Sequence, residues 1–162
     1  MIVVSDTSPI LNLARIGRLE LLPQLYRQVL IPSAVFAELA VSERDPTPAI
    51  DPVSMPWLIV AIAEDRNRVQ ELQKNLDAGE AEAIVLAIER RADLLLVDER
   101  RGRSTATAVG IAVTGLLGVV AKAEQAGLID LAKPVLDHLI QIARFWIGPG
   151  LYKEVLAQLG EA

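Results

Sequence analysis

Five short β-prone segments alternate with helical segments along this chain of 162 residues. They cover residues 2–5, 27–31, 57–61, 93–97 and 111–114. The fourth contains a continuous Leu-Leu-Leu-Val run, which is typical of a strand covered by helices on both faces. Since parallel neighbours need crossover connections, the alternation predicts an α/β fold: three-layer α/β/α, with a central, mostly parallel sheet and extra C-terminal helices.

Helical patterns fill the intervals between these segments, and Ser8 before Pro9 predicts the N-cap and first residue of the first helix. Residues 42–56 contain four prolines and predict a loop. We expect further helices over 19–25, 33–41, 64–74, 79–91, after Gly102, and over 116–125, 131–145 and 150–159. The chain is predicted to be one domain, residues 1–162, with 129–162 as a C-terminal helical extension.

Composition excludes several classes of protein. There is no cysteine, so no disulfide framework or thiolate site is available. No signal-peptide pattern or run of 18 apolar residues is present, so we expect a soluble, cytoplasmic protein without membrane contact. The formal net charge of -5 argues against a simple basic phosphate-binding surface, although a local arginine patch could still hold a nucleic acid.

Acidic residues follow two of the predicted strands directly. Asp6 comes after the first strand, and Asp98 and Glu99 come after the fourth. In an open parallel sheet, ligands bind at the carboxyl ends of the strands, where helix N-termini converge. These acids are therefore expected at one edge of the sheet.

Two helices contribute further acids, each with two possible interpretations. Glu38 is the only charge between Arg27 and Glu43, so it either points into the site or marks the solvent side of its helix. Glu80 lies over an apolar face, which favours an inward direction, whereas Glu82 is assigned to a more polar face. Since Asp77 precedes Glu80 by three residues, a capping box explains Glu80 equally well.

Four carboxylates from separate segments have a defined chemistry. Hard cations such as Mg²⁺ take oxygen ligands, and two such ions can activate water and stabilise the leaving oxygen of a phosphodiester. The single histidine, His138, is expected on an exposed helix face, which excludes a Ser-His-Asp mechanism. Neither a dinucleotide fingerprint nor a Walker-type motif is present.

Several segments together resemble the PIN-domain family, and its VapC-like, toxin-type branch most closely. The similarity runs from residue 1 to about residue 125 and extends to the C-terminal helices. It rests on Asp-Thr-Ser-Pro at 6–9, Glu38, Gly-Glu-Ala-Glu-Ala at 79–83, Leu-Leu-Val-Asp-Glu-Arg-Arg-Gly-Arg at 95–103 and Val-Thr-Gly at 113–115.

The resemblance implies a Mg²⁺- or Mn²⁺-dependent endoribonuclease. Its catalytic and metal-binding quartet would be Asp6, Glu38, Glu80 and Asp98, with Glu99 as an alternative fourth acid. It further implies an RNA substrate, a small antitoxin protein as partner, and a homodimer. Ser8 would be a supporting hydrogen-bond donor near the metal.

Arginines beside the fourth strand support a nucleic-acid substrate independently. Arg100, Arg101 and Arg103 oppose the helix dipole, which suggests phosphate contact, strongest for Arg100 and Arg103; solvated surface charges are the simpler alternative. Trp57 and Trp146 are expected to be packing or interface residues. Two other functions stay open: a non-catalytic PIN-fold protein that binds an antitoxin-like partner, and a phosphohydrolase of small phosphate esters.

Overall fold

A computed structural model describes residues 1–41 and 50–161 of the protein. Five parallel strands form one sheet in the order β3-β2-β1-β4-β5. The strands are β1 (Val3–Ser5), β2 (Val29–Pro32), β3 (Leu58–Ala61), β4 (Leu94–Leu96) and β5 (Val113–Thr114). The predicted three-layer α/β/α fold is confirmed, and every pairing in the sheet is parallel.

Helices connect the strands and complete the chain. They are α1 (Thr7–Arg15), α2 (Leu21–Tyr26), α3 (Ser33–Val41), α4 (Arg66–Leu72), α5 (Ala78–Glu89), α6 (Arg100–Ala108), α7 (Leu116–Gln125), α8 (Ala132–Gln141) and α9 (Pro149–Gln158). Part of the predicted 42–56 loop, residues 42–49, lies outside the described residues. No helix in the described ranges is long and apolar enough to cross a membrane.

The sheet separates two apolar cores, because successive residues of a strand point to opposite faces. Val3 and Leu96 pack on one face, against α1, α2, α7 and α8. Val4 and Leu95 pack on the other, against α4, α5 and α6. Leu156 of α9 belongs to the first core, so the C-terminal helices pack on the same body as the sheet.

The direction in which the chain proceeds across the sheet reverses at β1. From β1 the chain moves outward through β2 and β3, and then returns to β4 on the other side of β1. The loops that follow β1 and β4 therefore diverge and leave a crevice at the carboxyl end of the sheet. Asp6 and Asp98 follow these two neighbouring strands, and the Asp6 N–H donates to the Leu96 carbonyl over 2.9 Å.

Three predicted details of the helices are wrong. Asp6, whose backbone is extended, is the N-cap of α1, and Pro9 is its third residue; Ser8 is inside the helix. The helix predicted after Gly102 already begins at Arg100, so the arginines occupy its first turn. The helix predicted over 131–145 ends at Gln141, and Arg144 then takes a left-handed φ of 55°.

Candidate active site

Asp6 lies at the centre of the carboxyl edge and is buried, with 4% of its surface exposed. Its Oδ1 atom has no hydrogen-bond partner. Burial raises the pKa of Asp6 to about 7; the Thr7 N–H opposes this shift, and the negative charges of Asp77, Glu80 and Glu38 add to it. Asp6 thus faces three other carboxylates in a poorly solvated position.

The side chain of Glu38 extends from α3 and contacts two other helices, α1 and α5. Its carboxylate accepts a hydrogen bond from the Thr7 hydroxyl at the start of α1, and another from the Gly79 N–H over 3.2 Å. A side chain at Gly79 would collide with it, because an added Cβ would lie 2.8 Å from both Glu38 carboxylate oxygens. Of the two interpretations, the structure has the inward one: Glu38 points across to the first turn of α5.

Glu80 has both features that the sequence left open: it lies in the first turn of a capped helix, and its side chain points inward. Its backbone N–H donates to Asp77 Oδ1 over 2.8 Å, so Asp77 caps α5. Its side chain is nevertheless buried in the cleft. Burial raises the pKa of Glu80, and the charges of Asp77, Glu99 and Glu38 raise it further. Glu80 is therefore close to the other acids in addition to being the third residue of a capped helix.

Asp98 is fixed at the end of β4 by the next helix. Its Oδ1 accepts the Leu116 N–H at the start of α7 over 2.8 Å, and the Ser8 hydroxyl lies 3.5 Å from its Oδ2. Burial raises the pKa of Asp98, while the Leu116 N–H, the nearby Arg103 guanidinium and Ser8 lower it. Ser8 also accepts a hydrogen bond from Asn12, which orients its hydroxyl.

Glu99 and the arginines occupy a more open position beside Asp98. Glu99 is exposed and is the N-cap residue of α6. Arg100 is exposed, whereas Arg103 is half-buried and directs its Nη1 to the Val97 carbonyl, 3.4 Å away. Glu99 is near enough to raise the pKa of both Glu80 and Asp98, so it belongs to the rim of the same cluster.

Asp77 and Thr7 are two residues of the site that sequence reasoning did not include. Asp77 was noted only as a helix cap, yet its charge acts on both Asp6 and Glu80. Thr7 holds Glu38 through its hydroxyl. The spacing Asp77–Glu80 and the position of Thr7 next to Asp6 were visible signals for these roles.

Glu82, which was assigned to a more polar face of α5 than Glu80, has polar partners but is shielded from bulk solvent. It is buried, accepts the Ala34 N–H over 3.3 Å and pairs with Arg66 over 3.5 Å. These partners compensate its charge. His138, by contrast, is exposed on α8 as predicted.

The acidic cluster fits a hard divalent cation in its donor set. All candidate ligands are carboxylate oxygens, which Mg²⁺ and Mn²⁺ prefer, and Asp6 Oδ1 is buried without a partner. In residues 1–41 and 50–161, no three acidic or histidine side chains lie close enough together to hold a metal ion in their present positions. Binding one ion by three or more of these carboxylates would therefore require the side chains to move closer together.

Comparison with known proteins agrees with this arrangement. Residues 2–161 match the family model of the PIN domain, whereas no curated protein matches the chain significantly. The match spans nearly the whole sequence, including the parallel sheet, the acids at its carboxyl edge and the C-terminal helices. The chain therefore belongs to the PIN-domain family.

Proposed function

We propose that this protein is a Mg²⁺- or Mn²⁺-dependent endoribonuclease that hydrolyses RNA phosphodiesters at the acidic crevice. The PIN domain is a nuclease-type fold, so hydrolysis of a nucleic acid is the activity expected of its members. The observation that carries the proposal is Asp6: a buried carboxylate with an unpartnered oxygen, surrounded by carboxylates from other segments. Uncompensated, this arrangement is costly, and a cation offsets the cost.

The residues that would hold the cation are Asp6, Glu38, Glu80 and Asp98, with Glu99 at the rim. When bound, a divalent cation supplies Lewis acidity, which activates water and offsets the charge that develops on the phosphate. Asp6 Oδ1 would contact the cation without any other contact being broken. Glu38 and Asp98 start from hydrogen bonds to the N-termini of α5 and α7, which keep both carboxylates beside the crevice.

Substrate contacts are assigned to the open side of the crevice. Arg100 is exposed at the first turn of α6, where its guanidinium can contact a phosphate. Arg103 lies closer to Asp98 and steadies that carboxylate as well. The Ser8 hydroxyl, 3.5 Å from Asp98 Oδ2, supports that carboxylate as well. A small antitoxin as partner, a homodimer and a toxin role remain predictions from the resemblance to the VapC-like branch.

Cleavage of a mixed RNA pool tests the proposal. Purified protein is incubated with Mn²⁺, with Mg²⁺ and with EDTA, in parallel with Asp6→Asn, Asp98→Asn and the exposed control Asp130→Asn. We expect fragments only with a metal, none with either site variant, and unchanged cleavage by the control. A wild type that leaves RNA intact with either metal, although it is folded, contradicts the proposal, and hydrolysis of small phosphate esters instead would assign a different substrate.

A further inference from the structure

A groove of about 1140 Å³ extends from the acidic crevice along the outside of α6. One wall is formed by the exposed side of α6 and the other by residues 145–155, which connect α8 to α9 and form the start of α9. Asp98 lines the groove at the end that meets the site. A chain that lies in this groove therefore passes directly next to the candidate catalytic carboxylates.

Trp146 is the most unusual residue of this groove, because 82% of its surface is exposed. Its neighbours Phe145 and Ile147 both pack against the core. Arg144 adopts a left-handed φ of 55° just before them, a conformation that is uncommon for a residue with a side chain. The turn thus directs alternate side chains inward and leaves the indole in solvent. Of the two roles expected for Trp146, packing in the fold is wrong, and an interface role stays a prediction.

The indole of Trp146 lies beside the backbone of Gly148 in the wall of the groove. A Cβ added at Gly148 would lie 3.5 Å from the Cη2 atom of Trp146, so the ring edge borders the backbone there. One face of a large aromatic ring is therefore available beside a cleft that already contains polar groups. Aromatic faces of this kind are the surfaces on which unpaired bases stack.

The opposite wall carries positive charge and hydroxyl groups. Arg100, Arg103, Ser104 and Thr107 line it from α6. Among the described residues, no acid forms an ion pair with Arg100, whose guanidinium is exposed. A purely apolar partner would leave this guanidinium without a counter-charge, whereas a phosphate backbone provides one.

We propose that the groove binds single-stranded RNA, with one unpaired base stacked on Trp146 and the backbone phosphates against Arg100. The assignment rests on the proposed function, since the groove would lead the strand to the same acidic site. It combines the two components by which proteins bind single strands: a cationic wall that follows the backbone and an aromatic face for a base. It also predicts a preference for unpaired over duplex RNA, because stacking needs an exposed base face.

Binding measured without cleavage tests the proposal independently of catalysis. In the Asp6→Asn background, fluorescence anisotropy of a short labelled single-stranded oligoribonucleotide gives Kd for the parent, Trp146→Leu, Trp146→Phe and the control Leu131→Ala. Leu131 is also exposed but does not line the groove. We expect Trp146→Leu to weaken binding roughly 5- to 100-fold, the scale of one base–aromatic stack, and Trp146→Phe to retain most of it.

An abasic scan of the oligoribonucleotide identifies the stacked base. One abasic position should weaken binding by the parent protein and have little further effect on Trp146→Leu, because both changes remove the same contact. Unchanged binding by Trp146→Leu overturns the proposal. Equal weakening by the leucine and phenylalanine variants with no sensitive base also overturns it, because a stacked base should tolerate phenylalanine in place of tryptophan. Cleavage by the wild type is measured separately, so an inert enzyme that still binds RNA through Trp146 refutes only the nuclease function.

Discussion

Replacing Asp6 by asparagine should stabilise the metal-free protein at neutral and higher pH. The carboxylate of Asp6 is buried beside three other acids, and its pKa is raised from 3.8 to about 7. The folded state therefore holds a proton that the unfolded chain has released, so stability falls as pH rises between these two values. Asparagine has nearly the same shape and no charge, so it does not have this pH dependence.

The size of the effect follows from the shift. Each pH unit between the unfolded and folded pKa values is worth about 1.4 kcal/mol, so the advantage of Asp6→Asn should grow by about 3 kcal/mol between about pH 5 and about pH 8. For a chain of this length, that corresponds to roughly 6–12 °C in Tm. Most of the growth should occur below about pH 7, where Asp6 is half ionised in the folded state, and the difference should level off above that pH.

Denaturant unfolding in EDTA at both pH values measures the effect, with Asp130→Asn as the matched control on an exposed aspartate. Adding Mg²⁺ at the higher pH should stabilise the wild type and have little effect on Asp6→Asn, because a ligand that binds only the folded state adds stability. The reasoning is refuted if the difference between Asp6→Asn and wild type is the same at both pH values. It is also refuted if the two proteins respond equally to Mg²⁺.

Three further predictions concern individual residues in and around the site. Gly79→Ala places a Cβ 2.8 Å from both Glu38 carboxylate oxygens and should displace that carboxylate. RNA cleavage should then fall on the order of 100-fold while Tm is maintained. Retained activity would show that Glu38 is not needed in its present position. Asp98→Asn should lower the cleavage rate at least about tenfold more than Glu99→Gln, and the reverse order would make Glu99 the fourth carboxylate. Glu82→Ala should reduce the free energy of unfolding by about 1–3 kcal/mol in urea without a change in metal affinity, whereas a loss of metal affinity would place Glu82 in the site.

The sequence predicted the sheet well because its signal is local. A short apolar run such as Leu94–Leu96 specifies a strand covered on both faces, and an acid directly after it must lie at the carboxyl edge. The PIN-domain resemblance is confirmed by the family match. The roles of the four acids stay predictions, although the structure brings the charges of Glu38 and Glu80 close to Asp6.

The details that the sequence did not reveal depend on tertiary contacts. Periodicity placed Glu82 on a polar face but did not show that this face is buried. Only the fold brings Arg66 and the Ala34 N–H to the Glu82 carboxylate. The exposure of Trp146 depends on a left-handed residue two positions earlier, which no hydropathy pattern records. Asp77 was recognised as a cap, but its closeness to Asp6 requires α5 to begin at the crevice.

The helix N-termini explain how the fold tolerates so many acids at one edge. Glu38 and Asp98 each accept a backbone N–H from the start of a helix, and Asp77 accepts the N–H of Glu80. These contacts partly compensate each carboxylate and hold the groups apart, in agreement with the lack of a preformed metal cage in the described residues. Asp6 differs, because its Oδ1 is buried with no donor. The free energy that a cation recovers is therefore greatest at Asp6, so loss of this one carboxylate should weaken metal binding more than loss of Glu38 or Asp98.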